Sequence, residues 1–420
     1  MFMQLNILYI VNRYGTPPLN FFEKFVLEQT INELYILKLP STNPSNSNFT
    51  YESFIMNAKT RDKKTFKLII PTPLPELVQH ILQYILNLYS LFWLTSKISI
   101  NLYNIGIGES SFGSFALYLL RKISKVQYSI FMNGDIIPDI TQGIKPFYLS
   151  DKNSLIYKLI DDVIIKTQAT LRLIGFKNDL IWYPNENIRQ WDLKNNFIPK
   201  DFIISQTVLI DINEVSRNLL NKKLKNTICY IGRLDEYAGI DISLHSLAEI
   251  KKKIPTIKLL IVGGGETSVE KYKSLAKDLG ISKNVSFFGF IDSIDEAFNI
   301  IKHASIGLAM YKPSDTNVSL YAEPSKPKEY IRLGLPAIMS IGGPNIGSEM
   351  LKANVALLVE YKPESIAKAV VEFFQKDQLK SYEKSIKAFA KKYDYFEVNK
   401  ELLRKIQTRY SRLIKNEVYQ

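Results

Sequence analysis

Cysteine and histidine are scarce: 420 residues hold 1 cysteine, Cys229, and 3 histidines. A single cysteine excludes a disulfide framework and fits a reducing compartment. Cys229 lies inside an apolar run, so a place in the core is favoured over reactivity. His80, His245 and His303 are scattered without ligand spacing, and no Asp-x-Asp pair ends a strand. No metal site is therefore expected. Long hydrophobic runs are missing too. The longest apolar segment, Leu77 to Leu94, is interrupted by Gln79, His80, Gln83 and Asn87. That is too polar on one side for a transmembrane span. Met1 to Val11 lacks a basic leader and a small-residue cleavage site, and reads as a first strand. A cytoplasmic chain, neither exported nor membrane-integrated, is expected.

What is present is ordinary apolar content, 46%, in a chain long enough for two or three domains. The formal net charge is +13. Such an excess points to an anionic partner: nucleic acid, a membrane surface or phosphorylated substrates. The charge is spread along the chain, with no block of consecutive cations and no aromatic-basic RNA-binding motif. Nucleic acid is thereby disfavoured.

In chain order, residues 1–205 form a first unit. Ile7–Val11 reads as a buried strand, followed by a turn-forming loop through Gly15 and a helix over Leu19–Ile31. Strands are expected at Leu34–Leu39 and Lys67–Ile70, a Ser/Asn-rich loop at 41–50, and a long helix at 75–94. Apolar residues cover more than one stripe of that helix. It either packs on the sheet or meets a membrane or lipid-linked substrate, and its lack of lysines favours packing. The run Ile98–Ile105 reads as a strand that ends in Gly106-Ile107-Gly108-Glu109-Ser110-Ser111. The helix that follows begins with glycines and hydroxyls, suiting an anion or a hydroxyl-rich ligand, or merely an N-cap. Strands are also expected at Gln127–Met132, at Ile160–Ile165 and at Leu180–Asn185.

Residues 206–226 read as a boundary. A second unit, to about residue 385, repeats the strand–helix rhythm. Its strands are expected at 227–232, 257–262, 285–290, 304–311, 336–341 and 355–360. Helices fall between them, at Ile242–Lys253 and Val269–Leu279 among others. Residues 386–420 form a basic helical tail, either a solvated face or a contact with an acidic membrane surface. Strands alternating with helices indicate parallel α/β sheets.

The chemistry concentrates between Thr227 and Glu329. Apolar runs there end in Gly232-Arg233, in Gly263-Gly264-Gly265 and in Gly289-Phe290-Ile291. Ligands sit beyond the carboxyl ends of strands in an open parallel sheet. A diphosphate needs backbone N–H groups and fixed positive charge. Arg233 offers a guanidinium and Lys326 an ammonium, while Glu329 suits ribose hydroxyls. Each also has a plainer reading. Arg233 could pair with an acid such as Glu236, and Lys326 could be a solvated loop lysine. Glu329 could answer a helix dipole, and Asp135 could be a turn residue.

Taken in order, these motifs resemble the retaining, nucleotide-sugar-dependent glycosyltransferases of the GT-B fold, the glycosyl transferases group 1 or family 4 type. The resemblance is strongest over residues 227–375. It rests on Ile231-Gly232-Arg233-Leu234 with Gly239-Ile240, on Leu260 to Gly265, and on Asn284 to Phe290. It continues through Pro324-Ser325-Lys326, Glu329-Tyr330 and Gly334-Leu335-Pro336. Trp182-Tyr183-Pro184-Asn185 resembles the family's strand end before the interdomain linker.

The resemblance implies two Rossmann-like domains facing a cleft, with the C-terminal helix returning to the first. It implies transfer of a hexose from a nucleotide sugar to a glycan or lipid-linked acceptor, with retention and without metal or other cofactor. Gly15, Gly232, Arg233, Gly263, Gly264, Phe290, Ile291, Ser325, Lys326 and Glu329 would bind the donor. Arg233, Lys326 and Asp135 would serve catalysis. Asn133, Asp135, Glu109 and Glu323 would meet the sugar or acceptor. An anionic membrane surface is a further candidate partner.

The chain also departs from the family pattern. Ala238 stands where a lysine is common, Tyr321 replaces the first of two glutamates, and Asn133 replaces a histidine. These departures keep two alternatives open: a non-catalytic relative that binds a glycan or partner, and a sugar-nucleotide epimerase of the same fold.

Overall fold

The computed structural model describes residues 5–12, 16–29, 32–39, 49–70, 76–97, 102–134, 155–314, 317–376 and 379–418. They form two compact units. One comprises residues 1–139, 145–207 and 396–420, the other 140–144 and 208–395.

The first unit opens with β1 (Asn6–Val11), α1 (Pro17–Glu28), β2 (Glu33–Lys38), β3 (Phe49–Asn57), β4 (Lys63–Ile70) and α2 (Glu76–Ser96). It continues through β5 (Tyr103–Glu109), α3 (Ser110–Lys122), β6 (Val126–Met132), α4 (Leu155–Gly175), β7 (Leu180–Tyr183), α5 (Glu186–Lys194) and β8 (Phe202–Ile204). The sheet order is β4-β3-β2-β1-β5-β6-β7-β8. Its pairs are parallel except where β3 joins β2 and β4. Both faces of β1 are buried, as a parallel sheet covered by helices requires. Leu8 and Ile10 face a core with Leu91 and Leu94 of α2 and Phe112, Leu117 and Leu120 of α3. Tyr9, on the opposite face, packs on Phe22 of α1.

Several expectations need correction here. Ile160–Ile165 is not a strand but part of α4. The stretch before Ile105 was expected to be strand, with glycines in the turn after it. Instead β5 starts at Tyr103 and carries Gly106 and Gly108 inside the strand. A Cβ on Gly106 would fall 2.2 Å from Leu117, and one on Gly108 would fall 2.5 Å from the Gly113 carbonyl. These glycines let α3 lie close on β5. Strands β3 and β8 and helix α5 had no counterpart in the sequence reading.

The second unit begins with α6 (Ile212–Asn218), β9 (Thr227–Ile231), α7 (Ile240–Lys253), β10 (Lys258–Val262) and α8 (Glu266–Asp278). Next come β11 (Val285–Phe287), α9 (Ile294–Ile301), β12 (Ile306–Ala309), α10 (Ser325–Arg332) and β13 (Ala337–Ser340). It closes with α11 (Ile346–Lys352), β14 (Ala356–Val359), α12 (Pro363–Gln375) and α13 (Leu379–Lys392). All six expected strands are present, each a little shorter than its apolar run. The order β11-β10-β9-β12-β13-β14 is that of a doubly wound sheet, and every pair is parallel. The chain reverses direction across the sheet between β9 and β12, the switch point where such sheets bind ligands.

The last helix, α14 (Tyr395–Val418), belongs to the first unit from Phe396 onward. Asn399 donates to the Phe21 carbonyl, and Arg409 pairs with Asp201 at 2.7 Å. Tyr410 packs on Tyr128 and bonds Gln127.

Candidate functional site

The switch point of the second unit gathers most of the residues singled out by sequence. Strand β9 ends at Gly232, which has φ +134°. Strand β10 ends at Gly263, which has φ +123°. A Cβ on Gly263 would lie 1.9 Å from the Gly232 carbonyl, so the two strand ends touch backbone to backbone. The Gly263 N–H donates to the Gly289 carbonyl at 2.7 Å and ties in the end of β11. Only glycine fits these positions.

The loop after β9 is held by Asp235. One carboxylate oxygen pairs with Arg233 Nε at 3.0 Å, and the other accepts the Ala238 N–H at 2.7 Å. Arg233 is thus paired with Asp235 rather than Glu236, and its side chain is 43% exposed. Beneath the loop, the Tyr230 hydroxyl donates to the Arg233 and Ala238 carbonyls.

Lys326 is no solvated loop lysine. It sits in the first turn of α10 and is buried. Its Nζ donates to the Ala238 carbonyl at 3.1 Å and lies 3.9 Å from the centre of the Tyr230 ring. The Tyr311 ring is 5.1 Å away, and the Lys326 stem passes close beside Gly232. Burial pushes its ammonium down to about 7, against the upward pull of Asp235 and Glu329, with Arg233 adding to the depression. The ammonium therefore stands beside residue 238, where the family's common lysine is missing.

Glu329 lies on the same helix as Lys326. Burial raises its carboxyl above the usual range, while a hydrogen bond from Ser325 and the charges of Arg332 and Lys326 lower it. Helix α10 is pinned by Tyr330. The Tyr330 ring covers Gly307 of β12, and its hydroxyl donates to the Leu308 carbonyl and accepts the Ile231 N–H. A glycine inside a strand signals such close approach, and Gly307 was the available sign of it. Sequence reasoning singled out neither Tyr330 nor Asp235 nor Tyr230 for the site.

Gly264 has φ +79° and packs on Leu234. Phe290 is 60% exposed, and Ile291 packs against the core of the second unit. Glu323 forms a buried ion pair with Lys328, whose Nζ also donates to the Val208 carbonyl at 2.8 Å. Its carboxylate is turned into that pair. In the first unit, buried Asn133 donates to Asp192, which also pairs with Arg172. Glu109 stands at the N-cap position of α3 without a side-chain capping bond, and accepts hydrogen bonds from Tyr9 at 2.7 Å and Thr16 at 3.1 Å. Gly15 and Asp135 lie outside the described residues.

Residues 211–406 match the family model of glycosyl transferases group 1. Over that stretch the chain is similar to the glycosyl transferases group 1 family. The resemblance read from its motifs holds. An uncharacterized glycosyltransferase of Methanocaldococcus jannaschii is 23% identical over 197 residues, 44% of this chain and 44% of that protein. The aligned stretch thus spans less than half of that relative.

Two solved structures extend the likeness over nearly the whole chain. HepE of Anabaena, solved in complex with UDP, superposes with a TM-score of 0.58 at 12% identity, covering 96% of this chain and 100% of that one. Sucrose-phosphate synthase of Thermosynechococcus elongatus gives a TM-score of 0.64 at 12% identity, covering 97% and 99%. At that identity the likeness establishes fold: two Rossmann-like units, the GT-B fold class. Among the described residues, no helix is long and apolar enough to cross a membrane.

Proposed function

We propose that this chain is a glycosyltransferase that moves a hexose from a nucleoside-diphosphate sugar to a glycan or lipid-linked acceptor, with retention and without a metal. The observation that carries the reading is the Lys326 ammonium, enclosed beside the Gly232 strand end at the switch point. A buried cation next to strand-end backbone and a half-exposed guanidinium is a ready counter-charge for a diphosphate. When the nucleoside diphosphate departs, negative charge grows on its phosphates, and fixed cations stabilise it. Lys326 supplies the charge that Ala238 cannot. Glu329 takes the ribose hydroxyls. The acceptor falls to the first unit, with Asn133 and Glu109 as its candidates. HepE, of the same fold, has been solved with UDP-glucose, which favours a nucleotide sugar as donor here.

The direct test is calorimetric titration with a panel of nucleoside diphosphates, UDP first, in buffer with and without EDTA. The wild-type chain should bind one of them, equally well with the chelator. Arg233→Ala should weaken binding roughly ten- to hundred-fold, as loss of a charge-assisted hydrogen bond does. Unchanged affinity would remove Arg233 from the site. Release of that diphosphate from its sugar only when acceptor is present would separate transfer from epimerisation and from mere binding.

A further inference from the structure

Helix α2 buries polar residues beside Leu86, Leu91 and Leu94 and shows an apolar row outward. Its polar residues Gln79, Gln83, Asn87, Ser90 and Thr95 are buried. Its outward face is Val78, Ile81, Ile85, Tyr89 and Phe92, each between 43% and 57% exposed. The spacing of 3, 4, 4 and 3 residues sets these five in one row on the helix. At 1.5 Å rise per residue the row is about 21 Å long. From Ile81 to Ser96 the helix carries no charged residue at all.

The buried face is not idle. The Tyr51 hydroxyl bonds Asn87 and Ser90 at 2.9 and 2.7 Å, so the polar side faces β3 and has partners there. Phe66 of β4 packs against Tyr89 and Trp93 in tilted ring contacts with centroids 5.3 and 5.9 Å apart. The helix is therefore fixed in the orientation that shows its apolar row to solvent.

Cations border this row. Lys97, just past the helix end, lies with its Nζ 5.5 Å from the Trp93 ring. Lys64 is exposed on β4 and, by strand alternation, shares the face of Phe66. Lys63 and Lys67 of β4 lie on its other face, over Phe54 and beside Glu52, and do not border the row. We infer that the α2 face with Lys64 and Lys97 is a docking surface for an anionic lipid bilayer. The apolar row enters the acyl boundary, its aromatics lie at headgroup depth, and the lysines meet lipid phosphates. A second copy of the chain fits less well. The row offers on the order of 500 Å² of apolar surface, short of the ~800 Å² per partner in a stable protein interface. It is also a single convex helix rather than a groove.

The test is co-sedimentation of the full chain with vesicles of phosphatidylcholine containing phosphatidylglycerol, against phosphatidylcholine alone. The wild type should bind the anionic vesicles and lose binding as salt rises. The Ile85→Asn/Phe92→Asn variant should bind about ten-fold more weakly or worse. Lys64→Gln and Lys97→Gln should each cost about five-fold. Nucleotide titration and the thermal midpoint of each variant should match wild type, since all four side chains are exposed. Absence of vesicle binding by the wild type, or unchanged binding by Ile85→Asn/Phe92→Asn, overturns the inference. So does a dimer in sedimentation velocity that dissociates in that variant while vesicle binding persists. The inference stands apart from the donor reading, because vesicle binding and nucleotide binding can each fail while the other holds.

Discussion

Burial holds the Lys326 ammonium at about 7, although Asp235 and Glu329 pull it upward. In the unliganded protein the side chain is therefore neutral above pH 7 and charged below it. A bound diphosphate favours the charged form and raises that value again. Between the two values, binding must take up a proton, so affinity should fall about ten-fold per pH unit. The sign follows from the direction of the shift: the free protein has lost the proton, and the complex has regained it. Titrations at pH 8 in buffers of different ionisation enthalpy should show uptake approaching one proton. Lys326→Met should bind more weakly below pH 7 and show a flat profile above it. Zero net uptake by the wild type would mean that Lys326 does not face the phosphates. Neither the enclosure by Tyr230 and Tyr311 nor its effect on the ammonium is legible in Pro324-Ser325-Lys326. The three residues name a cation, and only the fold shows how far it is withdrawn from water.

At the scale of elements, what was legible depended on burial. Strands β9, β12 and β13 are covered on both faces, so each reads as an unbroken apolar run stopped by glycine, proline or a polar turn. Helix α4 differs from the expected strand because Ile160, Val163, Ile164 and Ile165 are β-branched residues, which favour strands in a sequence reading, set here inside a helix. Helix α5 had a sign that went unread. Asn185 is its N-cap and accepts the Ile188 N–H at 3.0 Å. Strand β3 mixes Ser53 and Glu52 among its apolar residues and pairs antiparallel, outside the rhythm that guided the rest.

The junction of β9 and β10 gives an element-scale prediction. Gly263→Ala places a methyl 1.9 Å from the Gly232 carbonyl at φ +123°. The backbone strain alone should cost about 1–3 kcal/mol in urea unfolding. Gly265→Ala, two residues on, meets nothing within 4 Å and should leave stability and nucleotide affinity alone. Equal stability of the two variants would show that the strand ends are not in contact.

Across the whole molecule, the first unit is discontinuous in sequence: it is completed by residues 396–420. Leu402, Leu403, Ile406 and Tyr410 are buried, and Phe396 packs on Phe25 of α1. The helix is joined to β5 and β6, where Tyr410 bonds both Asn104 and Gln127. Among the described residues the second unit has its own core of 47 buried residues, all between Ile210 and Tyr393. A chain ending at residue 395 should therefore fail unevenly. Amide protection in β1, β5 and β6 should collapse, and exposed apolar surface should drive aggregation. Protection in β9, β10 and β12 should persist, and with it the ability to bind a nucleoside diphosphate. Hydrogen exchange read strand by strand distinguishes this from uniform unfolding, which would mean that the two units fold only together. The C-terminal helix was expected to return to the first domain from resemblance alone. Its basic composition says little of where it docks, because Lys400, Arg404, Arg412 and Lys415 are exposed, while Arg409 turns inward to pair with Asp201.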